Sequence, residues 1–170
     1  MKLSNTVKLV LPAAVLGFLA LGLGLAPPQA AAATVTTTFG VTASVGATCL
    51  VSATPMNFGS YTGLDDNVTS TVTVTCTNTT PYNLGLSAGL ASGATVASRD
   101  MTGPAGALLG YELFRDAGHT LNWGVTIGSD TETGIGNGSA QGITVYGQVP
   151  PSQYVAPGTY SDTITATVTY

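Results

Sequence analysis

From residue 34 onward, apolar residues alternate with threonine, serine or glycine, and no stretch repeats at the three-to-four spacing of a helix. The clearest run is TVTTTFGVTASV, residues 34–45. Val35, Thr37, Phe39, Val41, Ala43 and Val45 point to one side, and Thr34, Thr36, Thr38, Gly40, Thr42 and Ser44 to the other. Further runs lie at 70–76, 82–88, 108–115, 143–149 and 160–170, with shorter ones at 56–61 and 95–101. Glycine, asparagine, aspartate and proline separate them, giving loops at 63–67, 77–81, 128–142 and 150–158. Period-two alternation in β-branched and aromatic residues predicts strands. About eight short strands at this spacing predict an all-β, antiparallel sandwich. No internal repeat, linker or second domain is visible.

The N-terminus reads differently. Lys2 and Lys8 precede an apolar run from Leu9 to Ala26, followed by PPQAAAAT. A basic start, an apolar stretch and small residues suited to signal peptidase describe a secretory leader. A membrane-spanning helix needs about 20 apolar residues, and this run is short and broken by Pro12, Gly17, Gly22 and Gly24. Residues 1–33 are therefore expected to be removed on export, with cleavage after Ala30, Ala32 or Ala33. Both lysines leave with them. The remainder keeps Arg99 and Arg115 against eight carboxylates, a formal charge of −6. A nucleic-acid binder needs a cationic footprint, and an anionic membrane surface would repel this chain, so neither partner is expected, nor is membrane insertion of the mature part. Roughly 137 residues make one domain by length. Cys49 and Cys76 form an even pair in an exported chain, which favours a disulfide. It would close 27 positions, worth roughly 3–4 kcal/mol in the chain-entropy picture. Two cysteines with no histidine beside them make a poor metal site.

Little in the sequence speaks for catalysis, and no catalytic residue, cofactor or metal is expected. His119, in DAGHT, is the only histidine. The nearest triad partners, Asp116 and Ser129, lie outside any GxSxG context, and GSYTG at 59–63 has its serine misplaced. Asp65 and Asp66 are adjacent, so their side chains diverge; a turn explains them better than paired acid–base chemistry or a weak calcium site. GIGNGSAQG at 134–142 lacks the G-x-G-x-x-G spacing and reads as a loop. Asn67, Asn78 and Asn137 head N-x-[ST] triplets that a threonine-rich chain produces by chance. Trp123 and the tyrosines, among them Tyr61, Tyr82, Tyr111, Tyr146, Tyr154 and Tyr160, suit a sandwich core better than a sugar-stacking surface.

On periodicity alone, 34–45 is simply the first strand of its own sandwich. The order of motifs gives it another role. NFGSY at 57–61 follows the first cysteine; VTVTCTNTTPYNLGLSAG spans 72–89; RDM at 99–101 precedes LLGYELFRDA at 108–117 and NWG at 122–124; VYGQVP at 145–150 precedes PGTYSDTITATVTY at 157–170. Together they resemble the spore coat protein U domain family, whose members include major subunits of archaic chaperone–usher pili. Phe114 stands where the family would favour tyrosine.

The resemblance implies an immunoglobulin-like antiparallel β-sandwich lacking its final strand, completed by donor-strand complementation. The alternation of Ile164, Ala166 and Val168 up to Tyr170, with no turn after it, fits that expectation. Those three residues would line one edge of an acceptor groove in a domain spanning 46–170. Residues 34–45 would be the N-terminal donor strand, inserting Val35, Thr37, Phe39, Val41, Ala43 and Val45 into a neighbour. The expected partners are identical or related pilin subunits, a periplasmic chaperone and an outer-membrane usher, with export through the periplasm to a surface fimbria. A secreted spore or cell-coat protein that forms no pilus is the alternative, and a secreted carbohydrate-binding module a more distant one.

Overall fold

The computed structural model describes residues 30–170, so the leader expected at 1–33 lies, up to residue 29, outside the described residues. The chain divides after Thr42, and Ala43–Tyr170 forms a compact unit of eight strands. These are β1 (Cys49–Ala53), β2 (Asp66–Cys76), β3 (Pro81–Leu86), β4 (Arg99–Thr102), β5 (Leu108–Phe114), β6 (Glu132–Ile135), β7 (Gln141–Val149) and β8 (Ala166–Thr169). One 3-10 turn, Pro104–Gly106, joins β4 to β5. Five strands form a sheet in the order β1-β2-β7-β5-β4, three form a second sheet in the order β6-β3-β8, and every ladder is antiparallel. This is an immunoglobulin-like β-sandwich.

The alternation that predicts the strands also sets their faces. On β2, Val72, Val74 and Cys76 are buried while the threonines between them stay partly exposed. On β7, Val145 and Val149 turn inward and Thr144, Tyr146 and Gln148 outward. Leu84 and Leu86 of β3 complete the core from the opposite sheet, with Trp123 wholly buried between them and β5. The Trp123 indole N–H donates to the Leu84 carbonyl (2.9 Å) and its amide to the Leu113 carbonyl (2.8 Å), so one residue ties both sheets.

Arg99, the first residue of β4, is also wholly buried. Its Nε donates to the Ser87 carbonyl (2.9 Å), Nη1 to Val96 (2.6 Å), and Nη2 to Leu86 (3.2 Å) and to Trp123. Burial lowers the guanidinium pKa from its ordinary value, against the opposing pull of Tyr111 and Asp162. The planar fork reaches carbonyls that no strand partner satisfies.

Cys49 and Cys76 are joined as a disulfide and face each other in the β1–β2 register. Several boundaries differ from the sequence expectation. Residues 34–45 form no strand, because a strand needs a hydrogen-bonded neighbour and none of these residues has one in this structure. Residues 56–61 form none either: Gly59, at φ 72°, donates its amide to the Asn57 side chain, an Asx turn that breaks the extended run. The 95–101 run is strand only from Arg99, preceded by a tight Thr95–Ser98 bridge. The 160–170 run is strand at 166–169, with Ser161 bridging Thr102. Two strands arise where none is predicted. β1 gains its order from β2, and β6 lies inside the expected 128–142 loop, drawn into place by β3, whose Tyr82 ring covers Gly134.

Arg99→Met should lower stability by about 3 kcal/mol or more, since it strands several buried carbonyls; urea unfolding of the purified protein measures it. A midpoint equal to the parent's would show that these contacts carry little of the fold.

Candidate functional site: an apolar cleft at the open edge of the sandwich

β8 is an edge strand, paired with β3 alone among the described residues. Strict alternation runs through β8 and the three residues before it: Ile164, Ala166 and Val168 are half-buried against the core, and Thr163, Thr165, Thr167 and Thr169 are exposed. The Ser87 amide donates to the Thr165 carbonyl (3.0 Å), so the odd-numbered residues bond toward β3. In an antiparallel ladder the main-chain groups of the even-numbered residues then face the unpaired side. The residues whose side chains point inward thus carry the free amides and carbonyls of the edge.

β1 runs beside β8 as the corresponding edge of the larger sheet. Where the chain leaves β1 at Ala53 and Thr54 and approaches β8 through Ser161 and Ile164, the sheets enclose an open cleft of about 450 Å³. Its floor is apolar, with Met56, Phe58, Met101, Tyr111 and Leu113 facing Ile164. Met56 and Phe58 reach it because β7 carries glycine at 147; any Cβ there would collide with both. Phe58 and Tyr111 meet edge to face, with centroids 6.2 Å apart. Interiors are normally close-packed, with few voids larger than a water, so an apolar space of this size in the core is incomplete packing.

One end of the cleft is polar and fixed. The Asp162 carboxylate accepts from the Leu90 amide (2.8 Å), the Thr163 amide (2.7 Å) and the Tyr111 hydroxyl (2.7 Å). Gly89, at φ 92°, makes room for it: a Cβ there would overlap the carboxylate. Burial, reinforced by the Asp162 contact, pushes the Tyr111 phenol well above its ordinary pKa.

Of the sequence-predicted site residues, Ile164 and Ala166 line the cleft, while Val168 packs against the core beyond it. Residues 34–45, considered by themselves, have no secondary structure, and Val35, Phe39, Val41 and Val45 are 97%, 86%, 83% and 89% exposed. Thr37 and Ala43 are exposed as well. The sequence expectation did not single out Met56, Phe58, Met101, Tyr111 or Asp162 as cleft residues; glycine within the β7 run was the available signal, since it marks a close approach.

Elsewhere the chemistry-bearing residues are occupied structurally. His119, at φ 52°, packs edge-on against Phe114 (5.1 Å) and Tyr146 (6.4 Å). Asp116 accepts from the Thr120 and Leu121 amides and the Thr120 hydroxyl. Asp65 accepts from the Asn67 and Gln148 amide groups. Among the described residues no cluster of three or more His, Cys, Asp or Glu has the placement to hold a metal, and no helix is long and apolar enough to cross a membrane. Trp123 is core and offers no stacking face.

The fold and the cleft define a class: an immunoglobulin-like β-sandwich with an uncovered hydrophobic edge. The model of the Spore Coat Protein U domain matches residues 35–167, and this chain belongs to that family. Protein U of Myxococcus xanthus is 34% identical over 158 residues, covering 83% of this chain and 88% of that protein. Among solved structures, a chain from the crystal structure of the CsuC–CsuE chaperone–tip adhesion subunit pre-assembly complex, from the archaic chaperone–usher Csu pili of Acinetobacter baumannii, superposes with a TM-score of 0.55 at 25% identity. The match covers 74% of this chain and 40% of that one, so this chain spans less than half the length of the protein it resembles there.

A tyrosine that stays protonated in the fold but ionises when unfolded makes stability fall as pH rises above its ordinary pKa of 10.0. Below that pH the contribution of Tyr111 is fully present, and it is lost progressively above it. Tyr111→Phe should flatten the alkaline limb of the stability profile, incompletely because buried Tyr82 shifts the same way. Urea midpoints between pH 8 and pH 12 measure this; parallel limbs for parent and variant would contradict it.

Proposed function

We propose that this protein is a structural subunit of a surface fibre of the pilus kind and polymerises head to tail. In this reading residues 1–33 are a cleaved export leader, 34–45 a donor strand, and 46–170 an acceptor domain that the donor of a neighbouring subunit completes. The observation that carries it is the pair of unsatisfied surfaces: an apolar cleft of about 450 Å³ flanked by an unpaired strand edge, and a segment with an exposed apolar stripe. Strand addition satisfies both at once. Val35, Phe39, Val41 and Val45 would each contribute roughly 1.5–3 kcal/mol on full burial. Their gross sum of about 10 kcal/mol is set against ordering and association costs. Donor and acceptor are different surfaces, so the contact is heterologous and repeats without closing.

Before assembly the open cleft needs cover. The match to a chain of a chaperone–subunit complex supports a periplasmic chaperone that lends a temporary strand, and an outer-membrane usher as the place of exchange. Nothing in this mechanism calls for catalysis or a cofactor. The match to the Spore Coat Protein U domain supports a second reading, a secreted coat protein that forms no pilus; finding chaperone and usher genes beside this one would decide for the pilus.

Phe39→Asp would carry a charge into the acceptor core. An unpaired buried charge costs several kcal/mol, so fibre yield should fall by roughly a hundredfold or more. Deletion of residues 34–43 should abolish polymerisation while leaving chaperone binding intact. Electron microscopy and dissociation-resistant laddering on unheated gels read both, and normal fibres from either variant would end this proposal.

A further inference from the structure

The cleft is lined by apolar side chains around Ile164, and the stripe on 34–45 has one aromatic side chain. We infer that, in the strand exchange proposed above, the donor of a second copy enters antiparallel to β8 with Phe39 opposite Ile164, so that the Phe39 ring fills the cleft. This register rests on the strand-exchange reading and adds what that reading leaves open.

Three inward positions of the edge lie along the cleft: Asp162, Ile164 and Ala166, with Ile164 in the middle. Phe39 is the one aromatic residue among six inward donor positions, the others being valine, threonine and alanine. An aromatic ring supplies the largest apolar area a single residue offers, and the floor of methionines, Phe58 and Tyr111 accepts it edge-on or by sulfur contact. Placing Phe39 at Ile164 sets Thr37 against Ala166 and Val41 against Asp162, whose oxygens are already taken by Leu90, Thr163 and Tyr111. Val35 then faces Val168, beyond the cleft, where a small side chain suffices.

The main chain agrees with this placement. Ile164, Ala166 and Val168 carry the free amides and carbonyls of the edge, and Phe39, Thr37 and Val35 become their hydrogen-bonded partners. A slip by one residue would turn Phe39 outward and present threonines to the core, so only even shifts compete. The antiparallel sense matches every ladder in both sheets, and parallel pairing is slightly less stable per residue.

The register places Thr36 beside Thr167 and Thr38 beside Thr165 as non-hydrogen-bonded pairs, the closer kind, with all four side chains exposed. A disulfide between such positions needs no change in the core. The double variant Thr36→Cys with Thr167→Cys, made in the full chain and assembled into fibres, should give a ladder of covalent multimers on heated, non-reducing gels that collapses on reduction. Thr38→Cys with Thr165→Cys should do the same. A ladder from Thr34→Cys or Thr38→Cys with Thr167→Cys instead would overturn this register by two residues and leave strand exchange standing. A ladder from Thr42→Cys with Thr167→Cys would overturn the antiparallel sense. Fibres that assemble with no covalent ladder from any of these pairs would overturn the register, whereas normal fibres after deletion of residues 34–43 would overturn strand exchange itself.

Discussion

The two sheets are held together at one end by a buried guanidinium. Arg99 leaves β4 in the larger sheet and donates to carbonyls at the end of β3 in the smaller one, to Val96 and to Trp123. Among the described residues no carboxylate pairs with it directly; its charge is met by carbonyl dipoles and by the more distant Tyr111 and Asp162. That arrangement fixes where β3 ends and therefore where β8 can run beside it. With Trp123 bonded to both sheets, the two layers are joined by contacts that do not depend on the cleft being filled.

The open edge follows from the same economy of charge. From residue 34 onward the chain has no lysine, and its strands are faced with threonine. Natural sheets commonly blunt their edges with lysine, proline or bulges. β8 has none of these within Ala166–Thr169. Its main chain is uncovered, its inward side chains are apolar, and it borders a cleft whose lining residues Met56, Phe58 and Asp162 are seated against Gly147 and Gly89. An edge left in this condition favours the addition of another strand, and the exposed stripe on 34–45 has the matching period.

Much of this was legible in the sequence. Alternation located β2, β3, β5 and β7, because each is long enough to show its period and has one face in the core. The even cysteine pair indicated the disulfide, and the succession of motifs from NFGSY to PGTYSDTITATVTY indicated the family, which the comparisons bear out. What escaped was decided by partners. β6, with the sequence ETGI, has little strand propensity of its own and exists because β3 offers an edge; β1 is ordered by β2. Met56 and Phe58 fall in a run whose alternation predicts a strand, yet they reach the cleft from an irregular loop, since the Asx turn at Asn57 redirects the chain. The role of Asp162 was hidden because its three donors come from residues 90, 111 and 163, which only the fold brings together.

The position of the disulfide has a mechanical consequence. Cys49 is the first residue of β1, and its partner Cys76 is the last residue of β2, which lies between β1 and β7. Traction on the residues ahead of Cys49 would otherwise peel an edge strand away one hydrogen-bonded pair at a time. The covalent link diverts that tension past β1 into a strand bonded on both sides, where many contacts must break in shear together. In the oxidised protein, then, β1 is shielded from load arriving along its own leading segment.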